Sequence, residues 1–202
     1  MRLPLFGVLA CGLIVQTGCG SFGQSLPTWQ STFAATTGTA VAAKDPLAVD
    51  IPIAKPTDSH PVTVAAAVSR ARVAPGEQIV LVVRCQTAKP WYIYAVDGSA
   101  EAGVPTRLNL RLPPQVSQSS PWQLPTPAIK ASPLGEISSY AGDFRFMIPL
   151  EIAAGSAPRE LEIECEISYQ ACSDATCLAP DSQRLVIPLT VHARSTIDSA
   201  KR

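Results

Sequence analysis

The segment Leu161-Glu-Ile-Glu-Cys-Glu-Ile-Ser-Tyr169 alternates apolar and polar side chains without a break. Successive side chains of a β-strand point to opposite faces, so a period of two predicts a strand with one buried face and one wet face. The segment Arg107-Leu-Asn-Leu-Arg-Leu112 repeats the pattern. These two segments decide the fold class, which is all-β.

Short apolar runs separated by proline and glycine surround these two segments. Such spacing is typical of a β-sandwich, and no run has the length and period of a helix. We expect one β-sandwich over residues 61–194, followed by a disordered tail, 195–202. The further strands are predicted at Val62–Val73, Ile79–Cys85, Trp91–Tyr94, Phe144–Ile152 and Leu185–Val191.

The charge of the chain argues against two classes of partner. Lys plus Arg number 16 and Asp plus Glu number 16, which leaves no net charge at pH 7. Binding to nucleic acid or to an anionic membrane surface relies on an excess of basic residues. We therefore expect neither partner.

The N-terminus has the features of an export signal. Arg2 is followed by the apolar run Leu3–Val15, and small residues precede Cys19. The run is shorter than the ~20 residues of a membrane-spanning helix. We expect residues 1–19 to be a signal peptide and Cys19 to be lipidated. The alternative is ordinary cleavage, which releases a soluble protein. Residues 20–60, rich in Ser, Thr, Ala and Pro, are predicted to form a flexible linker.

Four cysteines remain if Cys11 leaves with the signal peptide and Cys19 takes lipid. An oxidising compartment favours disulfides, and Cys172 and Cys177 are the natural local pair. Cys85 and Cys165 then pair by elimination, and the strand period points both inward. An inter-sheet structural bridge follows. The alternative is two buried, reduced thiols.

The loop Cys172-Ser-Asp-Ala-Thr-Cys177 is too small for its disulfide to add much stability, roughly 2 kcal/mol by loop entropy. A small loop at a strand end also tends to keep a disulfide exposed and reducible. A loop staple and a redox site both remain open on these grounds. The loop contains no Lys, Arg or His, and Asp174 disfavours a neighbouring thiolate. The pair therefore suits an electron relay better than a strong oxidant.

The block Tyr169-Gln-Ala-Cys-Ser-Asp-Ala-Thr-Cys-Leu-Ala-Pro180 resembles the N-terminal domain of the DsbD family of bacterial thiol:disulfide interchange proteins. Smaller matches follow in the family's order and cover most of residues 61–192. They are Pro75-Gly76, Trp91–Tyr94, Gly103–Thr106, Trp122–Pro127 and Tyr140–Gly142.

The resemblance implies an immunoglobulin-like fold and a redox role for Cys172 and Cys177, with Cys177 as the sulfur that forms mixed disulfides. Tyr140 falls in a segment similar to the family's cap loop, which shields the disulfide. Tyr92 and Tyr94 match aromatic residues that line the site. Ordinary packing in the core or at its rim is the alternative for all three tyrosines.

The family's activity implies a protein-disulfide reductase component on the periplasmic side of the envelope. It takes electrons from a thioredoxin-like donor and passes them to an exported protein with a disulfide. The sequence departs from the best-known member in its shorter cysteine loop and in Glu136–Ser139, where that member has adjacent acidic residues. The chain has neither a multi-helix membrane domain nor a thioredoxin domain, so we expect a separate protein to supply electrons.

The cysteines also allow two other interpretations. A metal site built from Cys165, Cys172, Cys177 and His192 lacks the second half of a zinc motif, so no metal or cofactor is expected. The stronger alternative is a non-catalytic immunoglobulin-like interaction module with two structural disulfides.

Overall fold

The structure is a computed structural model that describes residues 49–98, 103–132 and 135–193. The predicted signal peptide, the lipidation site at Cys19, most of the linker and the tail lie outside these residues. The described part is all-β, as predicted, and contains no helix. Its strands are β1 Val62–Val68, β2 Arg72–Val73, β3 Gln78–Thr87, β4 Tyr92–Tyr94, β5 Arg107–Arg111, β6 Val116–Gln118, β7 Ala128–Ser132, β8 Gly135–Tyr140, β9 Asp143–Ile152, β10 Arg159–Tyr169, β11 Ala171–Cys172 and β12 Asp181–Val191.

The strands form three four-stranded sheets. The first has the order β1-β3-β9-β6, the second β2-β12-β10-β5 and the third β11-β4-β8-β7. Neighbouring strands are antiparallel, except for the parallel pair β2 and β12. The third sheet continues from the ends of longer strands, because β11 follows β10 after one residue and β9 follows β8 after two.

One apolar core joins the three sheets. The period of two in β10 buries Leu161, Ile163, Cys165, Ile167 and Tyr169, as the sequence predicts. Alternate residues of β3 and β9 supply the opposite side, and Ile93, Tyr140 and Ala171 enter the same core from the third sheet. At ~25 cal/mol per Å² of buried apolar surface, this core is the main source of stability.

The turn at Tyr140–Gly142 shows why a glycine stands there. Gly142 has φ of 79°, a backbone conformation that side chains with a Cβ disfavour. Its carbonyl accepts a hydrogen bond from the Thr87 N–H at 2.9 Å, and its own N–H donates to Thr87 Oγ1 at 2.8 Å. These contacts fix where β8 ends and β9 begins.

The folded unit begins before the predicted boundary at residue 61. Val49 and Ile51 are buried against Val82 on the outer face of the first sheet. The Arg84 guanidinium donates to the Ile51 carbonyl at 2.8 Å, and Arg145 donates to the Val49 carbonyl at 3.1 Å. Residues 49–54 therefore cover this face of the sheet, although their composition predicted a flexible linker.

Candidate functional site: a disulfide on the third sheet

The disulfide between Cys172 and Cys177 closes a short hairpin. Cys172 is the last residue of β11, and the two cysteines face each other as an antiparallel bridge with a Cα–Cα distance of 4.0 Å. Hydrogen bonds flank the pair on both sides, from Ser173 N–H to the Thr176 carbonyl and from Leu178 N–H to the Ala171 carbonyl. The cysteines thus occupy the non-hydrogen-bonded position of the ladder, where side chains come closest.

The two sulfur-bearing residues differ sharply in exposure. Cys172 is 0% exposed, whereas Cys177 lies in an exposed stretch that begins at Asp174. Thiol–disulfide exchange requires an incoming thiolate to reach one sulfur directly. Cys177 is therefore the accessible half of this disulfide.

Strand register places Tyr92 beside the disulfide. Tyr92 is paired directly with Cys172 between β4 and β11, and paired residues of neighbouring strands point to the same face of a sheet. Tyr94 lies two residues further on the same strand, and its ring packs edge to face on that of Tyr92 with centroids 5.9 Å apart. Both tyrosines therefore line the face that carries the disulfide. Burial raises the pKa of Tyr94, with a smaller contribution from Tyr92.

Tyr140 lies on the opposite face of the same sheet. It pairs with Ile93, which also pairs with Ala171, and all three side chains are buried in the core. The Tyr140 ring packs against Phe144 and Phe146 at centroid distances of 5.3 and 5.4 Å. The predicted position over the sulfurs is not observed, because the register of β8 turns this side chain inward.

Cys85 and Cys165 are free thiols in the structure, and the predicted bridge between them is not formed. Both are 0% exposed, so the inward direction predicted from strand period is correct. An inward cysteine packs as a small apolar residue and needs no bond, so burial alone did not establish pairing. Burial raises the pKa of Cys165 to about 11. Burial, and then the neighbouring Cys165, raise the pKa of Cys85.

A cation approaches the cysteine hairpin from a distant part of the chain. Lys130 on β7 forms an ion pair with Asp174, and both side chains are largely exposed. No local sequence pattern predicts this contact, because the partners lie 44 positions apart. The pair links the β7–β8 hairpin to the cysteine hairpin and offsets the negative charge of Asp174.

No role for Gln170 follows from the sequence, but in the structure its side chain bridges two segments. Its side chain accepts a hydrogen bond from the Val104 N–H at 3.1 Å and donates one to the Leu178 carbonyl at 3.0 Å. The residue next to Cys177 is therefore held by a side chain from the β10–β11 connection. The sequence feature that could have pointed to Gln170 is its position in the cysteine block, between Tyr169 and Ala171.

Within the described ranges, no group of three or more His, Cys, Asp or Glu side chains converges in a way that would hold a metal ion. Across the same ranges, no helix is long and apolar enough to cross a membrane.

An apolar groove of about 370 Å³ lies beside the cysteine hairpin and is lined in part by His60, Tyr169, Leu178 and Pro180.

An all-β domain with one half-exposed disulfide in a short hairpin belongs to the class of β-sandwiches that carry a surface cysteine pair. A family model identifies the group within that class. The chain belongs to the family of the N-terminal domain of the thiol:disulfide interchange protein DsbD, whose model matches residues 58–188. Membership confirms the resemblance drawn from the cysteine block and agrees with an immunoglobulin-like β-sandwich.

Solved structures give two relevant comparisons. The chain is similar to the N-terminal periplasmic domain of ScsB from Proteus mirabilis, with 18% identity, a TM-score of 0.46, and coverage of 66% of this chain and 49% of that chain. It thus spans about half the length of that domain. It is also similar to the N-terminal domain of Neisseria meningitidis DsbD in the reduced form, with 16% identity, a TM-score of 0.37, and coverage of 59% and 85%. A search of curated proteins returned no match.

Proposed function

We propose that this domain is a thiol–disulfide exchange module that works through Cys172 and Cys177. The observation that carries the proposal is the asymmetry of the disulfide, with Cys172 buried and Cys177 exposed. Cys85 and Cys165 are buried thiols with raised pKa values, so they are poor nucleophiles. Reactive cysteine chemistry in the described part of the chain is thereby concentrated at Cys177.

The proposed exchange has two parts: a donor first reduces the domain, and the domain then reduces an acceptor. A donor thiolate attacks Cys177 Sγ, the disulfide breaks, and Cys172 leaves with the electron pair and takes up a proton. A second donor thiolate then attacks the donor sulfur of the mixed disulfide and releases Cys177. The domain has gained two electrons and two protons, and the donor has become a disulfide.

The return half regenerates the disulfide. The Cys177 thiolate attacks a disulfide in the acceptor and forms a new mixed disulfide. The Cys172 thiolate then attacks Cys177 Sγ, which closes the bridge and releases the acceptor as a dithiol. The proposed donor is a thioredoxin-like protein, and the proposed acceptor is an exported protein with a reducible disulfide. In this role the domain is a protein-disulfide reductase component that needs no cofactor.

The proposed location follows from the N-terminal sequence and from the family. A signal peptide over residues 1–19 would export the chain to the periplasmic side of the envelope, where lipid on Cys19 would anchor it. Metabolic labelling with palmitate tests the anchor. Label on the wild type and its loss in Cys19→Ala support lipidation, and an unlabelled wild type contradicts it.

A matched pair of single-cysteine variants tests the exchange chemistry. Cys172→Ser keeps the exposed sulfur and removes the resolving thiol, so it should accumulate a mixed disulfide with a thioredoxin-like protein. Cys177→Ser keeps only the buried sulfur and should accumulate little. Non-reducing gels and mass spectrometry give the amounts. Equal trapping by both variants contradicts the assignment of Cys177. Absence of trapping in both contradicts exchange and favours a non-catalytic interaction module.

A further inference from the structure

The Gln170 side chain fastens the strand that carries Cys177. Leu178 follows Cys177 directly, and its carbonyl accepts the bond from Gln170 Nε2. The backbone adds the bond from Leu178 N–H to the Ala171 carbonyl at 2.9 Å. When the disulfide is reduced, these contacts and the Ser173 N–H to Thr176 carbonyl bond are available to keep the Cys177 segment beside β11.

The other end of the Gln170 amide is attached to a well-fixed segment. Gln170 Oε1 accepts from Val104 N–H, and two residues later Thr106 Oγ1 donates to the Tyr94 carbonyl at 2.6 Å in a buried position. Gly103 packs so closely on the Tyr94 ring that an added Cβ would lie 2.0 Å from a ring carbon. The segment 103–106 can therefore serve as a support.

Both contacts also agree with the chemistry of a primary amide. The oxygen faces an N–H donor and the nitrogen faces a carbonyl acceptor, so one orientation of the group satisfies both. A carboxylate at the same place would keep the acceptor toward Val104 and lose the donor toward Leu178. This difference allows the two contacts to be separated by substitution.

We infer that Gln170 is a positioning residue that keeps Cys177 within bonding distance of Cys172 while the disulfide is open. The inference rests on the proposed exchange function. The constant for forming an intramolecular disulfide from an external oxidant depends on how closely the two thiols are held together. If a hydrogen bond serves only to hold the two thiols together, its loss should lower the equilibrium constant for disulfide formation roughly two- to tenfold.

Equilibration with glutathione measures that constant. Protein dithiol and glutathione disulfide yield protein disulfide and two molecules of glutathione, so two electrons and two protons move to glutathione. Gln170→Ala and Gln170→Glu should both favour the dithiol by roughly two- to tenfold over wild type. Gln118→Ala removes a similar amide-to-carbonyl bond, to Ser120 in an exposed position, and should leave the constant unchanged.

Denaturant melts of the oxidised and reduced forms separate positioning from ordinary stabilisation. A residue that only supports the fold lowers the stability of both forms equally, and the glutathione constant then stays at the wild-type value. That result in both Gln170 variants would overturn the inference and leave the exchange function intact. If Gln170→Ala shifts the constant and Gln170→Glu does not, the Leu178 contact is not the relevant one and the inference also fails. A wild-type disulfide that glutathione does not reduce in the folded protein contradicts the exchange function itself.

Discussion

Cys172 lies directly opposite Tyr92 in the register of β11 and β4, so the two side chains share the outward face of the third sheet. The same sheet turns Tyr140 to the inward face, opposite Ile93. The aromatic neighbour of the buried cysteine is therefore Tyr92. Substitution of Tyr92 should therefore affect the reactivity of Cys172, whereas substitution of Tyr140 should affect the stability of the domain.

Tyr92→Ala should expose the buried cysteine. In the reduced protein, we expect Cys172 to react with iodoacetamide several-fold faster in this variant than in wild type, because its paired neighbour on β4 has lost its ring. Tyr92→Phe keeps the ring and should behave as wild type. Residue-resolved mass spectrometry of the alkylated protein gives both rates. An unchanged Cys172 rate in Tyr92→Ala would show that other groups bury this thiol.

Tyr140→Ala should act on stability. Truncation of a buried aromatic side chain costs about 3–5 kcal/mol, and here it removes the contacts with Phe144 and Phe146. Tyr140→Phe retains the ring and loses the hydrogen bond with the Val96 backbone, at a cost of about 1–2 kcal/mol. Urea melts give both values. A Tyr140→Ala variant of wild-type stability that traps partners faster would restore the lid interpretation.

The buried thiols give the domain a predicted sensitivity to alkaline pH. Burial raises the pKa of Cys165 from the ordinary thiol value of 9.0 to about 11 in the folded state. Between these values the unfolded chain releases the proton and the folded domain keeps it. The free energy of unfolding should therefore fall as the pH rises from about 9 to 11.

Cys165→Ala is the control for this pH dependence. Its unfolding free energy should fall less steeply over that window than the wild-type value. Cys85 and Tyr169 still contribute, because burial also raises their pKa values. Denaturant melts at pH 8, 9, 10 and 11 provide the comparison. Parallel curves for the two proteins would show that Cys165 does not titrate differently in the two states. A steeper fall in the variant would indicate a wild-type disulfide with Cys85, because the substitution would then free the buried Cys85 thiol.

Local pattern predicted the strands well and long-range contacts poorly. The period of two in β3 and β10 correctly turned Cys85 and Cys165 inward, because alternation follows directly from strand geometry. The period carries no information on the distance between two side chains from different sheets. The predicted bridge therefore failed, although the predicted burial was correct.

The region between Pro113 and Pro133 illustrates a second limit. Its prolines masked the strands β6 and β7, and β8 lacks a clear alternation. β6 lies at the edge of the first sheet, whereas β7 and β8 build one edge of the third sheet and β7 brings Lys130 to Asp174. The charge environment of the disulfide thus depends on a contact that no local pattern predicts. The cysteine block itself was predictable, since Cys172 and Cys177 are close in sequence.

Differential alkylation of the folded wild-type domain under graded dithiothreitol tests the central claim most directly. Free thiols are labelled at each reductant concentration, and the labelled cysteines are identified by mass spectrometry. We predict that Cys172 and Cys177 lose their disulfide under mild reduction, with Cys177 labelled faster, while Cys85 and Cys165 react only after unfolding. A Cys172–Cys177 disulfide that persists until the domain unfolds would contradict the account.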